Sequence, residues 1–332
     1  MRVLEVTAPR ELHTTEKALP SPAAGEVRIR VAWAGVCGTD YSLIAGKLTF
    51  ARYPIVPGHE FSGFISAVGA GVDLREGQRV TINPVLSCRK CPACLRGEIN
   101  HCEQTAVLGV AGTPGGFADE VIVPADTVRL LPPTLALDAA ALIEPVAVAV
   151  QVVRESAVKP GDKVAVLGSG NIGLLVLQVA RIYGAEVVAV SDLVTRRLQA
   201  AQRLGAEILK PDAEEGRYDV VIDGIGLPET VASAARLARR GGRIGVYGVP
   251  SQPTAMLPFL DAFRKDLRIA FIRLYPASFD EAITLLDENR IDLAPVVSHR
   301  VSLEQLPETI LAVMSDPSSG IKILTHVNDS AV

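Results

Sequence analysis

The sequence predicts an α/β protein of two domains, one β-rich and one built on a doubly wound parallel sheet. Three observations predict it. Residues 161–192, GDKVAVLGSGNIGLLVLQVARIYGAEVVAVSD, run in order as apolar strand, Gly-rich turn, amphipathic helix and apolar strand. The first 145 residues instead carry short alternating runs such as EVRIRVAWAG and GGFADEVIVP, rich in Val, Ile, Gly and Pro. And 332 residues exceed what one small core organises.

Along the chain, the alternating runs up to about residue 145 read as strands and turns of the β-rich domain. After the strand–turn–helix–strand unit comes a second one. It is RYDVVIDGIG with the helical pattern ETVASAARLARRGGRIGVYG, and it carries the alternation to residue 248. Strands alternating with helices imply a parallel sheet covered on both faces. The tail from about residue 278 shows a helix, FDEAITLLDENR, and short strands in PVVSHRVSL and GIKILTHV. It has no nucleotide signature, and a return to the first domain is expected.

Apolar residues make up 48% of the chain and charged residues 21%, ordinary for a globular enzyme. A formal charge of −4 gives no basic surplus for nucleic acid. The segment MRVLEVTAPRELHTTEK has no apolar core of signal-peptide length, and the richest apolar run, AALIEPVAVAV, is interrupted by Glu144 and Pro145. A cytoplasmic protein without a membrane span is expected. There, clustered cysteines are more often metal ligands than disulfides.

The glycines of VLGSGNIG are Gly168, Gly170 and Gly173. A lone GxGxxG is weak, but this one follows an apolar strand and opens a helix. Gly168 permits the tight turn, Gly170 lets a pyrophosphate approach, and Gly173 allows close helix–strand packing. Asn171 and Ile172 begin the helix, whose free N–H groups and positive dipole end suit phosphate. Asp192, ending the second strand, stands where a carboxylate would accept both ribose hydroxyls. It would repel a 2′-phosphate, so NAD is expected over NADP; Arg196 and Arg197 nearby weigh the other way. The bland reading is an ordinary turn with a surface aspartate.

Four of the five cysteines, Cys88, Cys91, Cys94 and Cys102, fall within fifteen residues. The spacing C-x2-C-x2-C-x7-C can wrap one tetrahedral Zn²⁺ in thiolates, leaving no position for substrate. That is a structural site, pinning a loop with little core of its own. A second set is dispersed: Cys37 in AGVCGTDY, His59 and Glu60 in VPGHEFSG, and Glu144 in AALIEPVAV. Each has a bland reading as a buried thiol, a satisfied histidine or a solvated carboxylate. Glu144 in its apolar run needs a partner most.

The motifs CGTD, GHEFSG, EGQRV, the four-cysteine lobe, GGFADEV, ALIEP and GSGNIG occur in the order found in the zinc-dependent medium-chain dehydrogenases. The chain resembles their polyol branch, the sorbitol, galactitol and threonine dehydrogenases, and is similar to bacterial sugar-acid dehydrogenases that carry VLGV followed by GGF. The resemblance covers nearly the whole chain. It implies a GroES-like catalytic domain from residues 1–146 and 278–332, with a zinc lobe at 84–104, and an inserted Rossmann domain at 147–277. Cys37, His59 and Glu60 match ligands of a catalytic zinc. Glu144 matches the carboxylate that ligates the metal directly or through water, and Asp40 a group that orients the zinc-bound histidine. Thr39 matches the first hydroxyl of the proton relay. Where the family often has a relay histidine, this chain has Ser42. In DLRIAFIRLYPASF, Arg273 is read as a surface residue or, by the resemblance, as one facing substrate.

The expected activity is NAD-dependent oxidation of a secondary alcohol on a polyol or sugar acid, with two zinc ions per chain. Thr39, Glu60 and Glu144 form the expected catalytic set, Arg197 joins the nucleotide site, and the assembly is a homodimer or homotetramer. One rival is a zinc-independent reductase of quinone-reductase type, which lacks the cysteine lobe and zinc ligands that this chain has. Another is a non-catalytic protein that binds NAD and zinc.

Overall fold

A parallel sheet organises residues 145–282 and 289–296, one of two compact units into which the chain divides. The computed structural model describes residues 1–19, 21–110, 112–210, 215–249, 254, 257–275 and 277–328. The sheet's strands lie in the order Glu207–Ile208, Val187–Ser191, Lys163–Leu167, Tyr218–Asp223, Ala238–Val246, Arg268–Phe271, every pair parallel. Numbered along the chain, that order is 3-2-1-4-5-6, the arrangement of dinucleotide-binding sheets. The order reverses between Lys163–Leu167 and Tyr218–Asp223, and the glycine turn leaves the carboxyl end of the first of these. Val164, Val166, Val188, Val190, Val220 and Ile222 are buried on one face and Ala165, Leu167, Ala189 and Val221 on the other, as strands covered on both faces must be. Helix Asn171–Ile182 is buried all round from Gly173 to Ala180, more than two turns.

The other unit comprises residues 1–144, 283–288 and 297–332. Its main sheet runs in the order Val297–Ser302, Lys322–His326, Glu26–Gly35, Glu60–Val68, Arg79–Ile82, Val128–Leu130, and Glu120–Pro124 also pairs with Glu26–Gly35. The tail returns to this unit at residues 283–288 and from 297 on, where Lys322–His326 pairs antiparallel with Glu26–Gly35 and Leu324 stands opposite Gly35. On the other edge of that strand Gly35 stands opposite Glu60. The alternation in EVRIRVAWAG buries Val27, Ile29 and Val31 with Phe61, Ile65 and Val80 in the core. The tail also holds a helix, Leu306–Ser315, that its sequence pattern does not announce. Its first turn contains Pro307, tolerated there because that N–H has no helical partner.

Candidate active site and metal centres

The dispersed metal set converges because of the sheet register. Glu26–Gly35 ends just before Cys37, which caps helix Gly38–Ile44, while His59 and Glu60 stand at the start of the neighbouring strand. One donor atom from each of Cys37, His59 and Glu60 lies within 4.8 Å of the others. His59 and Glu60 are buried and Cys37 half-buried. A thiol, an imidazole and a carboxylate are the donors zinc takes when it keeps a position open. Glu60 Oε1 is buried with no hydrogen-bond partner, a cost that a bound cation would remove. The residues therefore fit zinc. Glu144, 6% exposed in the first turn of helix Ile143–Glu155, lies outside this close group of three, yet its charge acts on His59 and on Lys322.

Asp40 lies against two of these three residues. It is fully buried, and its Oδ2 accepts the backbone N–H of Cys37 at 2.8 Å. Its Oδ1 faces His59 Nδ1 at 3.8 Å, beyond hydrogen-bond distance. Burial pushes the Asp40 carboxyl up. Burial opposes charge on His59, but Cys37 and Asp40 outweigh it and hold the imidazole well above its usual range. Thr39 is half-buried with its Oγ1 3.8 Å from Cys37 Sγ. Ser42 donates to the Gly38 carbonyl at 3.2 Å.

Sequence reasoning missed Lys322. This lysine is fully buried, ion-paired to Glu60, and donates to the Val36 carbonyl at 2.9 Å. Burial works against its charge, yet Glu60 and Cys37 hold it protonated. Its signal was a lysine inside the apolar run IKIL, since a buried lysine requires a partner.

In the cysteine lobe all four sulfurs lie within 4.8 Å of one another, and the thiols are free. Cys88 and Cys94 sulfurs are 3.9 Å apart, close to the roughly 3.8 Å that tetrahedral ligands at 2.3 Å from zinc require. The Cys91 N–H points at the Cys88 sulfur, and the Cys88 N–H at that of Cys102, each at 3.4 Å. Backbone N–H groups of Lys90 and Cys91 bring the Cys88 thiol down to about 6. The lobe's own elements are short: strand Val85–Leu86, helix Pro92–Leu95 and strand Ala106–Val107. Four thiolates on zinc, on the order of 10 kcal/mol, exceed what so little regular structure supplies.

In the nucleotide turn, Gly168 has φ +94°, open to glycine at little cost. A Cβ on Gly173 would lie 2.0 Å from the Gly168 carbonyl oxygen, whereas one on Gly170 would meet nothing within 4 Å. The helix begins at Asn171, so the N–H groups of Asn171 and Ile172 are available to an anion. Asp192 Oδ2 accepts the Ser169 N–H and Oδ1 the Val194 N–H, both at 2.9 Å. Arg197 stands 3.6 Å from that Oδ2. Arg273 is exposed just beyond strand Arg268–Phe271. Among the described residues no helix is long and apolar enough to cross a membrane.

Residues 23–133 match the alcohol dehydrogenase GroES-like domain family, and residues 171–288 the zinc-binding dehydrogenase family. L-galactonate-5-dehydrogenase of Escherichia coli K12 is 33% identical, over 93% of this chain and 94% of its own. Sorbitol dehydrogenase of Bacillus subtilis is 29% identical, over 96% and 95%. The crystal structure of the short chain alcohol dehydrogenase rspB from E. coli CFT073, with NADH, superposes with a TM-score of 0.92 at 32% identity, over 98% of this chain and 99% of that one. With its ligand sets, its glycine turn and these relatives, the chain belongs to the zinc-binding dehydrogenases that carry an alcohol dehydrogenase GroES-like domain.

Proposed function

We propose that this protein oxidises a secondary alcohol of a polyol or sugar acid with NAD, and runs the reverse reduction. The observation that carries this reading is the convergence of Cys37, His59 and Glu60 in a chain that also has a nucleotide turn tied by its Ser169 N–H to an acid, Asp192. A zinc held there would supply Lewis-acid chemistry to a substrate hydroxyl, and NAD at the glycine turn would supply the hydride acceptor. Cys37, His59 and Glu60 hold the metal, and Asp40 orients the first two by gripping the Cys37 backbone and facing the His59 ring. Thr39 takes the hydroxyl proton and passes it outward. Glu144 contributes negative charge close by and an alternative ligand or proton acceptor. Gly168, Gly170 and Gly173 with Asn171 and Ile172 receive the pyrophosphate, and Asp192 the ribose, with Arg197 beside it. The lobe of Cys88, Cys91, Cys94 and Cys102 holds a second, structural zinc.

The relative acting on L-galactonate favours a sugar acid, and the one acting on sorbitol a neutral polyol. The catalytic domain is assigned to residues 1–146 and 278–332, and the coenzyme domain to 147–277. A homo-oligomer is supported by Phe271, exposed on the strand that ends the sheet's order, and by Phe259, Leu260 and Phe263, exposed on helix Phe259–Arg264 just before it in the chain; among the described residues that strand pairs on one side only. Free thiols support a reducing compartment, the cytoplasm, as the protein's location.

Metal analysis combined with NADH formation on a panel of sugar acids, sugar alcohols and short alcohols tests the reading. Two zinc ions and turnover on the polyhydroxylated substrates are expected. Turnover of quinones without zinc, or zinc and NAD binding without turnover, would install one of the rival readings.

A further inference from the structure

Lys322 and Glu60 meet across a gap in the sheet. The lysine sits on Lys322–His326, the glutamate on Glu60–Val68, and between these strands lies Glu26–Gly35. The middle strand carries Gly35 at the crossing point, opposite Glu60 on one side and Leu324 on the other. A Cβ there would stand 2.4 Å from Glu60 Oε2 and 3.1 Å from Lys322 Cε. The absent side chain is therefore the passage through which the ammonium reaches the carboxylate. Two charges are removed from water at this point, which is costly unless each is compensated. Lys322 is compensated by Glu60 and the Val36 carbonyl. Glu60 is only half compensated: Oε2 holds the ammonium, whereas Oε1 has no partner and belongs to the carboxylate grouped with Cys37 and His59.

We propose that Lys322 is a positioning residue that acts as the resident counter-cation of the Cys37–His59–Glu60 site. It holds one oxygen of Glu60 and leaves the other for the metal, so that the site stays folded without metal and the carboxylate is shared once metal is bound. This rests on the zinc reading of the site. A lysine that only packed its strand would have no reason to reach Glu60 across Gly35. The consequence is a competition: the ammonium keeps the metal-free cluster from expelling Glu60, and it also weakens the grip of Glu60 on the metal.

The test compares the wild-type protein, K322M, E60Q and the double variant K322M/E60Q. Thermal unfolding is recorded after removal of labile metal and after reloading with zinc, and zinc release is followed with a chromogenic chelator. Stripped K322M is expected to unfold about 10 °C below stripped wild type, as loss of one partner of a buried pair implies. Zinc-loaded K322M should fall by less than half as much, because the metal then compensates Glu60. Its zinc should leave roughly tenfold more slowly, a change of one decade in the exchange rate. In the stripped state K322M/E60Q should recover most of the loss, since no uncompensated carboxylate remains. Equal losses in stripped and loaded K322M, no rescue by E60Q, or unchanged zinc release would each overturn the proposal. If K322M does not fold, folding of the double variant supports the proposal and its failure, with E60Q folded, overturns it. A wild-type protein holding only the lobe zinc would overturn the zinc reading instead, while the stripped variants would still decide the coupling of Lys322 to Glu60.

Discussion

Asp192 accepts the backbone N–H of Ser169 at 2.9 Å, tying the end of one strand to the glycine turn that leaves its neighbour. The same carboxylate takes the Val194 N–H, and Arg197 approaches it. It is thus committed to shaping the turn as well as to any ribose it receives. Asp192→Ala should weaken NAD by at least the roughly 1.5–3 kcal/mol of a charge-assisted bond, about 10- to 150-fold in Kd. Asp192→Asn keeps an acceptor for the turn but loses the charge. It should bind NAD better than the alanine variant while discriminating less against NADP. Titration calorimetry with both dinucleotides checks this, and a wild-type preference for NADP would remove Asp192 from the role.

The two metal sites should separate in their consequences. Zinc in the thiolate lobe should resist chelators, while the open site at Cys37 and His59 should lose metal and, with it, activity. Cys91→Ser should chiefly destabilise, because the lobe has little regular structure to hold it without metal. Cys37→Ser and His59→Ala should abolish turnover with most of the fold retained. Metal analysis, melting curves and assays on the three variants decide it; equal stability losses in all three would contradict the division.

Much of this was legible locally. The glycine turn and its strands could be read because a strand, a tight turn and an amphipathic helix each leave a short-range pattern, and the cysteine lobe declares itself by spacing. The grouping of Cys37 with His59 and Glu60 could not be read from spacing, since it depends on the register that sets Gly35 opposite Glu60. It was reached through the resemblance. Lys322 escaped both routes: its partner lies 262 positions away, and only the burial of its ammonium reveals the pairing. The helix Leu306–Ser315 escaped because LPETILAVMS carries too few polar positions to show a helical stripe.

Arg273 is exposed beyond the last strand of the parallel sheet, so a role at the substrate must come from its reach and not from a buried, fixed guanidinium. Arg273→Ala should raise KM strongly for sugar acids, whose carboxylate a guanidinium grips in bidentate fashion, and little for short alcohols. Matched kinetics on a sugar acid, a sugar alcohol and a short alcohol check this. A small, uniform change across the three would return Arg273 to the solvated surface.

Thr39 is the hydroxyl next to the proposed metal site, half-buried and 3.8 Å from the Cys37 sulfur. A substrate hydroxyl activated there must lose its proton before hydride can leave the adjoining carbon, and that proton needs an acceptor that leads to solvent. Thr39→Val keeps the shape and removes the acceptor, so kcat should fall about 10²–10⁴-fold, the range of acid–base assistance. NAD affinity should hold, because the nucleotide turn is built from other residues. Thr39→Ser restores the hydroxyl and should recover most of the turnover, which a mere packing defect would not predict. The outer half of the path differs from the usual relay: Ser42 takes the histidine's place and spends its own proton on the Gly38 carbonyl. The serine oxygen keeps lone pairs to accept with, but its own proton is held by the Gly38 carbonyl and can be handed to solvent only by rotating away, so the step beyond Thr39 should be slow and sensitive to solvent deuterium. Steady-state rates in H₂O and D₂O, with NAD affinities measured in parallel, test both halves together. Full activity in Thr39→Val would show that the proton leaves elsewhere, with Glu144, a buried carboxylate whose charge acts on His59, as the candidate to receive it.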